Sequence, residues 1–457
     1  MRYDVAIIGC GPGGLEASRI LAGASRKVAV IEDGQWGGVC LNKGCVPTKM
    51  MLAATAPIEA ARSLARFGEL SGDLKVEFEA LRKRIKRYVG ASSRAIPISL
   101  TEMGATIFDG RAEIISPDRV RINRSDGGTD DIDCEIIIIA TGSKPAFFPA
   151  IAPDHKVLLD SDDLLALDYI PQSLCVIGAG AIGLEFASFF ASCGTQITIV
   201  EAAPRLAPGE DDDIGSELKK ILAKRGIKIF TNNKPKELRN VRDRAFLDLE
   251  EGTRIEAEKA LIAVGRVGGA KELNISVLGC RLDNRDFIKV DACLRAAENV
   301  YAIGDCNGKT LLAHAAASQG AYAARRILSE IDKEYSPGPI PSCVYGSVEI
   351  ARAGLTAREA GKIGKVEISL AKLAANPIAQ ARAQTEGFVK AVWLNGDLAG
   401  IAAIGGGAAN LVAAAELFVA GNYDPEKLNG IMIAHPSLEE ALGAAIRQPR
   451  VSYSPEQ

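Results

Sequence analysis

The chain has 457 residues, which by the usual domain-size prior holds roughly three domains and several buried cores. Hydrophobic residues make up 47% and charged residues 24%, an ordinary soluble globular balance, and a net charge of −3 argues against a dedicated nucleic-acid or anionic-membrane binder. Ten cysteines are too few for a disulfide-stapled secreted scaffold, so the expected compartment is a reducing one, most simply the cytoplasm.

The first predicted unit is YDVAIIGCGPGGLEASRILAGASRKVAVIE, residues 3–32: an apolar strand, a G-x-G-x-x-G turn, a helix, a second strand and an acid. In such a turn Gly9 permits the tight strand-to-helix bend and Gly11 lets backbone approach a pyrophosphate. Gly14 lets the helix pack close to the sheet, and Glu32 accepts from a ribose diol.

Next comes GGVCLNKGCVPTK, residues 37–49, which reads as a glycine-rich loop holding Cys40 and Cys45. Two thiolates without a C-x-x-C or a nearby histidine make a poor zinc site. A redox disulfide is the sharper reading. Pro47 suits the first turn of a helix running on through TKMMLAATAPIEAARSLA. Cys45 is then expected at that helix's N-terminus, where a thiolate is stabilised, with Cys40 as the more accessible sulfur. The basic run LRKRIKRYVG, residues 81–90, reads as the exposed face of a helix.

EIIIIATGSKP, residues 135–145, ends a buried strand in a small-residue turn at Thr141 and Gly142. The apolar stretch 170–194 is long enough to suggest a membrane span, but it contains Glu185 and several glycines. It belongs to a second copy of the first plan, SLCVIGAGAIGLEFASFFASCGTQITIVE, with Gly178, Gly180, Gly183 and Glu201 in the same roles. Gly9 to Glu32 and Gly178 to Glu201 span the same 23 residues, so the chain is expected to bind two dinucleotides. Glu201 repels a 2′-phosphate, which favours NAD over NADP, while Arg205 nearby either blurs that preference or is a solvated loop charge.

A second strand end, ALIAVGRVGG (residues 260–269), turns at Gly265, and NVYAIGDCNG (299–308) places Asp305 after a strand and before a helix from about Leu311. Lone cysteines such as Cys175 and Cys293 read as small core residues. After Pro337-Gly338-Pro339 the character changes to a hairpin about Asn395-Gly396 and Ala/Leu-rich helices. Of three histidines, His155 reads as solvated and His314 as packing or capping. His435 stands before a proline expected to start a helix, five residues ahead of Glu440. Histidine is the natural base for dithiol chemistry near neutral pH.

Together the cysteine pair, the doubled glycine motif, AIGD and EAAPRLAPGEDDD resemble the class I pyridine nucleotide–disulfide oxidoreductases, with dihydrolipoamide dehydrogenase the nearest branch. The resemblance implies an α/β fold with two Rossmann-like domains, for FAD and NAD, and a C-terminal α+β dimerisation domain. The boundaries expected are 1–145 for the FAD domain, 146–267 for the NAD domain, 268–338 for a segment completing the FAD domain and 339–457 for the dimerisation domain. Gly9, Gly11, Gly14, Glu32, Thr141, Gly142 and Asp305 would serve FAD, the last as the family's ribityl aspartate. Gly178, Gly180, Gly183, Glu201 and Gly265 would serve NAD. Cys45 matches the thiol facing the flavin, Cys40 the interchange thiol, Lys49 the lysine near the flavin N5 and Glu185 its acid partner. IAHPSLEE resembles H-P-T-x-x-E, with His435 as base and Glu440 as its orienting acid, reaching across a homodimer into a shared active site.

The implied activity is oxidation of dihydrolipoamide or a lipoyl-bearing protein with NAD⁺. Departures from the pattern are Ile433 where the branch has a histidine, Ser437 for threonine, Val348 for proline, and GIAAIGGGAANL for a histidine-containing stretch. They keep open a related NADH-dependent reductase of another disulfide. A non-catalytic flavoprotein that senses redox state or binds a lipoyl carrier is a third reading, opposed by the joint presence of Cys40, Cys45, His435 and Glu440. No metal, nucleic acid or membrane is expected.

Overall fold

The computed structural model describes residues 1–421 and 425–454. Its chain divides into two units, each assembled from separate stretches of sequence.

The first unit comprises Met1–Pro47, Arg82–Ala146 and Arg266–Pro337. The run VAII, residues 5–8, is apolar at every position because this half of strand Arg2–Ile8 is central, parallel and buried on both faces. It pairs in parallel with Val28–Glu32 (Val5 opposite Val28) on one side and with Thr129–Ile139 (Ala6 opposite Ile137) on the other. Thr106–Ser116 and Val300–Ala302 extend the sheet outward, the latter in parallel register with Ile137–Ile139. An antiparallel meander through Arg119–Arg124 links Thr106–Ser116 to Thr129–Ile139. Helix Pro12–Gly23 lies tightly on helix Ala313–Ile327, since a Cβ at Gly320 would stand 2.2 Å from the Gly13 carbonyl oxygen.

The second unit holds Thr48–Leu81, Phe147–Gly265 and the described residues from Gly338 onward. It repeats the parallel arrangement in the order Lys228–Phe230, Gln196–Val200, Ser173–Ile177, Lys259–Ile262 and Leu158–Leu159. The stretch 170–194 is thus strand Ser173–Ile177 and helix Ala181–Ser192. No helix among the described residues is long and apolar enough to cross a membrane.

The C-terminal part forms a six-stranded antiparallel sheet. Its central hairpin, Gly387–Leu394 and Asp397–Gly405, turns at Asn395-Gly396 as expected. The acidic run after Glu201 ties the five-stranded parallel sheet of this unit to its six-stranded sheet. Lys390, 1% exposed, lies 2.8 Å from Asp211 and 2.6 Å from Asp213, and Arg352 donates to Glu210 at 2.8 Å.

Smaller expectations are met or corrected here. The basic run lies on helix Phe78–Glu102 with Lys83, Arg84, Lys86 and Arg87 exposed and Leu81 and Val89 buried. Cys175 is a core residue, but Cys293 is only half-buried, in a turn whose N–H bonds go to Asp291. His314 is exposed at the second position of its helix. His155 is exposed but not merely solvated, because its Nδ1 sits 2.8 Å from Asp163.

Candidate active site

The two glycine turns are alike down to single hydrogen bonds. Gly9 and Gly178 take φ of +98° and +102°, which only glycine adopts at ease. A Cβ at Gly14 would stand 2.0 Å from the Gly9 carbonyl oxygen, and one at Gly183 2.0 Å from that of Gly178. The third glycine therefore closes the turn on itself, which is a stricter demand than the expected helix–sheet packing.

Helices Pro12–Gly23 and Ala181–Ser192 open at Gly11 and Gly180 with no side-chain cap. A Cβ at Gly180 would meet nothing within 4 Å, and one at Gly11 only the Gly38 Cα at 3.9 Å. Uncapped N–H groups, a positive helix end and open space fit a pyrophosphate in each turn. Glu32 accepts from the Cys10 N–H at 2.7 Å and the Gly34 N–H at 3.0 Å; Glu201 accepts from Ala179 at 2.7 Å and Ala203 at 2.8 Å. Burial pushes the Glu32 carboxyl above the ordinary carboxylate range, against the pull of those N–H groups. Arg205 is neither a loop charge in solvent nor uncommitted, for its guanidinium lies 2.6 Å from Asp212.

Asp305, at the start of a single 3₁₀ turn, accepts from the Ser143 hydroxyl at 2.6 Å. Arg266 fixes that serine from the other side, donating to its Oγ at 2.6 Å and its carbonyl at 2.7 Å. Neither Arg266 nor Ser143 was picked out from sequence. Gly142 has φ +67°, and the buried Thr141 Oγ1 has no partner among the described residues, which leaves a donor for a bound nucleotide. Gly265 has φ +131° with nothing within 4 Å of a Cβ there.

The cysteine segment is helical where a loop was expected. Gly38–Lys43 forms a short helix carrying Cys40, Gly44 breaks it with φ −145° and ψ −111°, and Cys45 is the first residue of helix Cys45–Ala65. Cys45 is exposed and Cys40 only half-buried, the reverse of the accessibility expected. The reason is local: Cys40 lies inside a helical turn, whereas Cys45 stands at a helix end. Asn42 stabilises the short helix by donating to the Gly38 carbonyl at 2.9 Å and the Trp36 carbonyl at 3.0 Å.

The same long helix carries Lys49, which forms a part-buried ion pair within the second unit. Lys49 Nζ lies 2.7 and 2.6 Å from the two oxygens of Glu185, which is 5% exposed within the apolar helix Ala181–Ser192. Burial pushes the Glu185 carboxyl up, and the Lys49 ammonium and the Tyr345 N–H, at 3.2 Å, oppose it. Glu59, further along the helix, anchors it again, accepting from Ser192 at 2.8 Å and Arg225 at 2.9 Å.

His435 Nδ1 sits 2.9 Å from Glu440 Oε1, and Glu440 Oε2 accepts the Ser437 N–H at 2.9 Å. The Ser437 N–H and then the His435 ring hold the Glu440 carboxyl below its ordinary range. Pro436 follows a cis peptide bond and does not start the helix, which begins at Glu440. Cys40 and Cys45 belong to the first unit and His435, Glu440, Lys49 and Glu185 to the second.

Comparison with known proteins identifies the family. The family described as pyridine nucleotide-disulphide oxidoreductase matches residues 3–320, and its dimerisation domain matches residues 340–446. The chain is 35% identical over 455 residues to dihydrolipoyl dehydrogenase of Chlorobaculum parvum, covering 97% of this chain and 96% of that one. It is 31% identical over 466 residues to dihydrolipoyl dehydrogenase of Bacillus subtilis, with 97% of each covered. Among solved structures, LpdA of Mycobacterium tuberculosis superposes with a TM-score of 0.89 at 26% identity, covering 97% of this chain and 99% of that one. The HOCl-induced flavoprotein disulfide reductase RclA of Escherichia coli superposes at 0.86 and 26% identity, covering 97% and 99%. The chain belongs to the pyridine nucleotide–disulfide oxidoreductases of class I, closely related to dihydrolipoamide dehydrogenase, and is an FAD- and NAD-linked enzyme of dithiol–disulfide chemistry.

Proposed function

We propose that the chain oxidises a dihydrolipoyl group, free or carried on a protein, with NAD⁺, as a homodimer with shared active sites in a reducing compartment such as the cytoplasm. The observation that carries this reading is the placing of Cys45 as the exposed first residue of helix Cys45–Ala65, with Cys40 on the short helix before it. A sulfur at a helix N-terminus is a good leaving group, because the unpaired N–H groups and the dipole favour its thiolate.

A substrate thiolate attacks Cys40 Sγ in the Cys40–Cys45 disulfide, that bond breaks, and Cys45 leaves as a thiolate. The second substrate sulfur then attacks the mixed disulfide, releasing the cyclic disulfide product and the Cys40 thiol. His435 of the partner subunit takes the substrate proton, held in orientation by the partner's Glu440. FAD, when bound, supplies the two-electron relay from the thiols to NAD⁺. The turn at Gly9, Gly11 and Gly14, Glu32, Thr141, Gly142 and Asp305 would hold it, and Gly178, Gly180, Gly183, Glu201 and Gly265 would hold NAD⁺. Lys49 and Glu185 would set a fixed charge beside the flavin.

A second reading rests on one departure. Ile433 replaces a ring that donates hydrogen bonds by an apolar side chain, packed so that its Cδ1 would lie 3.0 Å from a Cβ at Gly443. That change suits a different disulfide, reduced with NADH. Anaerobic mixing with dihydrolipoamide and then NAD⁺ separates the two. Fast loss of oxidised-flavin absorbance followed by NADH formation is expected. Flavin that NADH reduces and dihydrolipoamide does not would sink the lipoyl reading and leave the redox core standing.

A further inference from the structure

We propose that Tyr345 is a positioning residue that holds the Lys49 ammonium in place; the inference rests on the reading of Lys49 as the charge beside the flavin. Two contacts converge on this residue, and a third fixes the turn it opens. Its backbone N–H donates to Glu185 Oε1 at 3.2 Å. Its ring lies beneath the Lys49 ammonium, 4.8 Å from Nζ to the centroid. The turn it opens is latched to the same helix one turn on, where the Ser347 N–H donates to Ser188 Oγ at 2.6 Å.

Gly346 makes the latch possible. Its φ is +148°, and a Cβ there would stand 2.7 Å from Ser188 Oγ. The turn after strand Ser342–Val344 is thus tied to helix Ala181–Ser192 at Glu185 and Ser188.

Lysine needs such a guide. Its ammonium is a compact charge on a flexible stem, and one carboxylate fixes its distance but not its direction. Glu185 is reached from one side by Lys49 and from another by the Tyr345 N–H, so the ion pair is closed by a backbone donor as well as by its own geometry. The aromatic face supplies the remaining restraint, since a cation is drawn to the negative face of a π-system, more strongly where water is partly excluded. Lys49 is about one-third exposed, so the ring also covers part of what solvent would otherwise reach. Cys343 lies against the phenol, and burial together with that thiol pushes the Tyr345 hydroxyl up to about 12, so the ring stays neutral across the working pH range.

The test compares Tyr345→Leu, Tyr345→Phe and Lys49→Met as flavin-loaded proteins, reading the flavin reduction potential and the rate of reduction by dihydrolipoamide. Tyr345→Leu is expected to shift the potential in the same direction as Lys49→Met, by less, and to slow reduction about 3- to 10-fold with KM unchanged. Tyr345→Phe keeps the ring and is expected to restore both within twofold. Fluorinated phenylalanines at this position, nearly the size of phenylalanine, keep the fold while draining the ring's electron density. Potential and rate should then move stepwise with the number of fluorines. A Tyr345→Leu protein with wild-type potential and rate, beside a shifted Lys49→Met, overturns the tyrosine's role alone, as does a flat fluorine series. A Lys49→Met protein that shifts neither overturns the lysine reading and the tyrosine's with it.

Discussion

At the scale of single residues, the acid partner of the base offers a test with a definite sign. Glu440 is held below its ordinary range by the Ser437 N–H and the His435 ring, so its hold on His435 is lost only as pH falls through that depressed value. Glu440→Gln is therefore expected to slow dithiol oxidation about tenfold, less than the ~10²-fold or more expected of His435→Gln. Stopped-flow traces at a fixed pH read both rates. A Glu440→Gln protein as fast as wild type would remove Glu440 from this role. His435 and Glu440 were legible in sequence because their spacing is short and their residue types are chemical. Tyr345, Ser143 and Arg266 were not, because each acts through a partner more than a hundred residues away, as Ser143 does with Asp305 and Arg266, and a tyrosine in YGS carries no local signal.

Among the elements, the repeated glycine turns predict separable failures. Because a Cβ at Gly14 or Gly183 would meet a backbone oxygen at 2.0 Å, neither site can take alanine without moving the turn. Gly14→Ala is expected to leave the protein with little bound flavin. Gly183→Ala should keep its flavin and its reduction by dithiols yet weaken NAD(H) at least tenfold. Flavin content per polypeptide and titration with NADH read the two effects. Equal flavin loss in both variants would mean that the turns are not separate nucleotide sites. These elements were the most readable part of the chain, since a parallel strand, a glycine turn and a helix each leave a periodic signature. The cysteine segment misled because glycines at 37, 38 and 44 look like loop and instead bracket a six-residue helix. Likewise Pro436 looked like a helix start, whereas helix Glu440–Arg447 begins four residues later.

On the scale of the whole molecule, the buried charges at Lys390 and Asp211, with the partly exposed Asp213, join the second parallel sheet to the C-terminal sheet. Asp211 also accepts the N–H groups of Ala357 and Arg358 at 2.9 and 3.1 Å, so it cannot be left without its cation cheaply. Lys390→Met is expected to lower stability by about 3–5 kcal/mol, and Asp211→Asn added to it should recover part of that loss in urea or thermal melts. A single variant as stable as wild type would show the network to be dispensable. The acidic run was recognisable as a motif, but its purpose was not, because its cations lie more than a hundred residues downstream.

The two acids that close the glycine turns carry a consequence for how such a protein changes over generations. Glu201 binds two backbone N–H groups of its own unit, so a lineage exchanging it to accept a phosphorylated cofactor loses both anchors in one step. Each orphaned donor costs ~1–3 kcal/mol, a large share of a typical domain's stability. Choice of coenzyme and integrity of the fold are thereby inherited together. A switch of preference has to be preceded by substitutions that rebuild the turn, and one that arrives without them is removed as a folding defect before any new specificity can be selected.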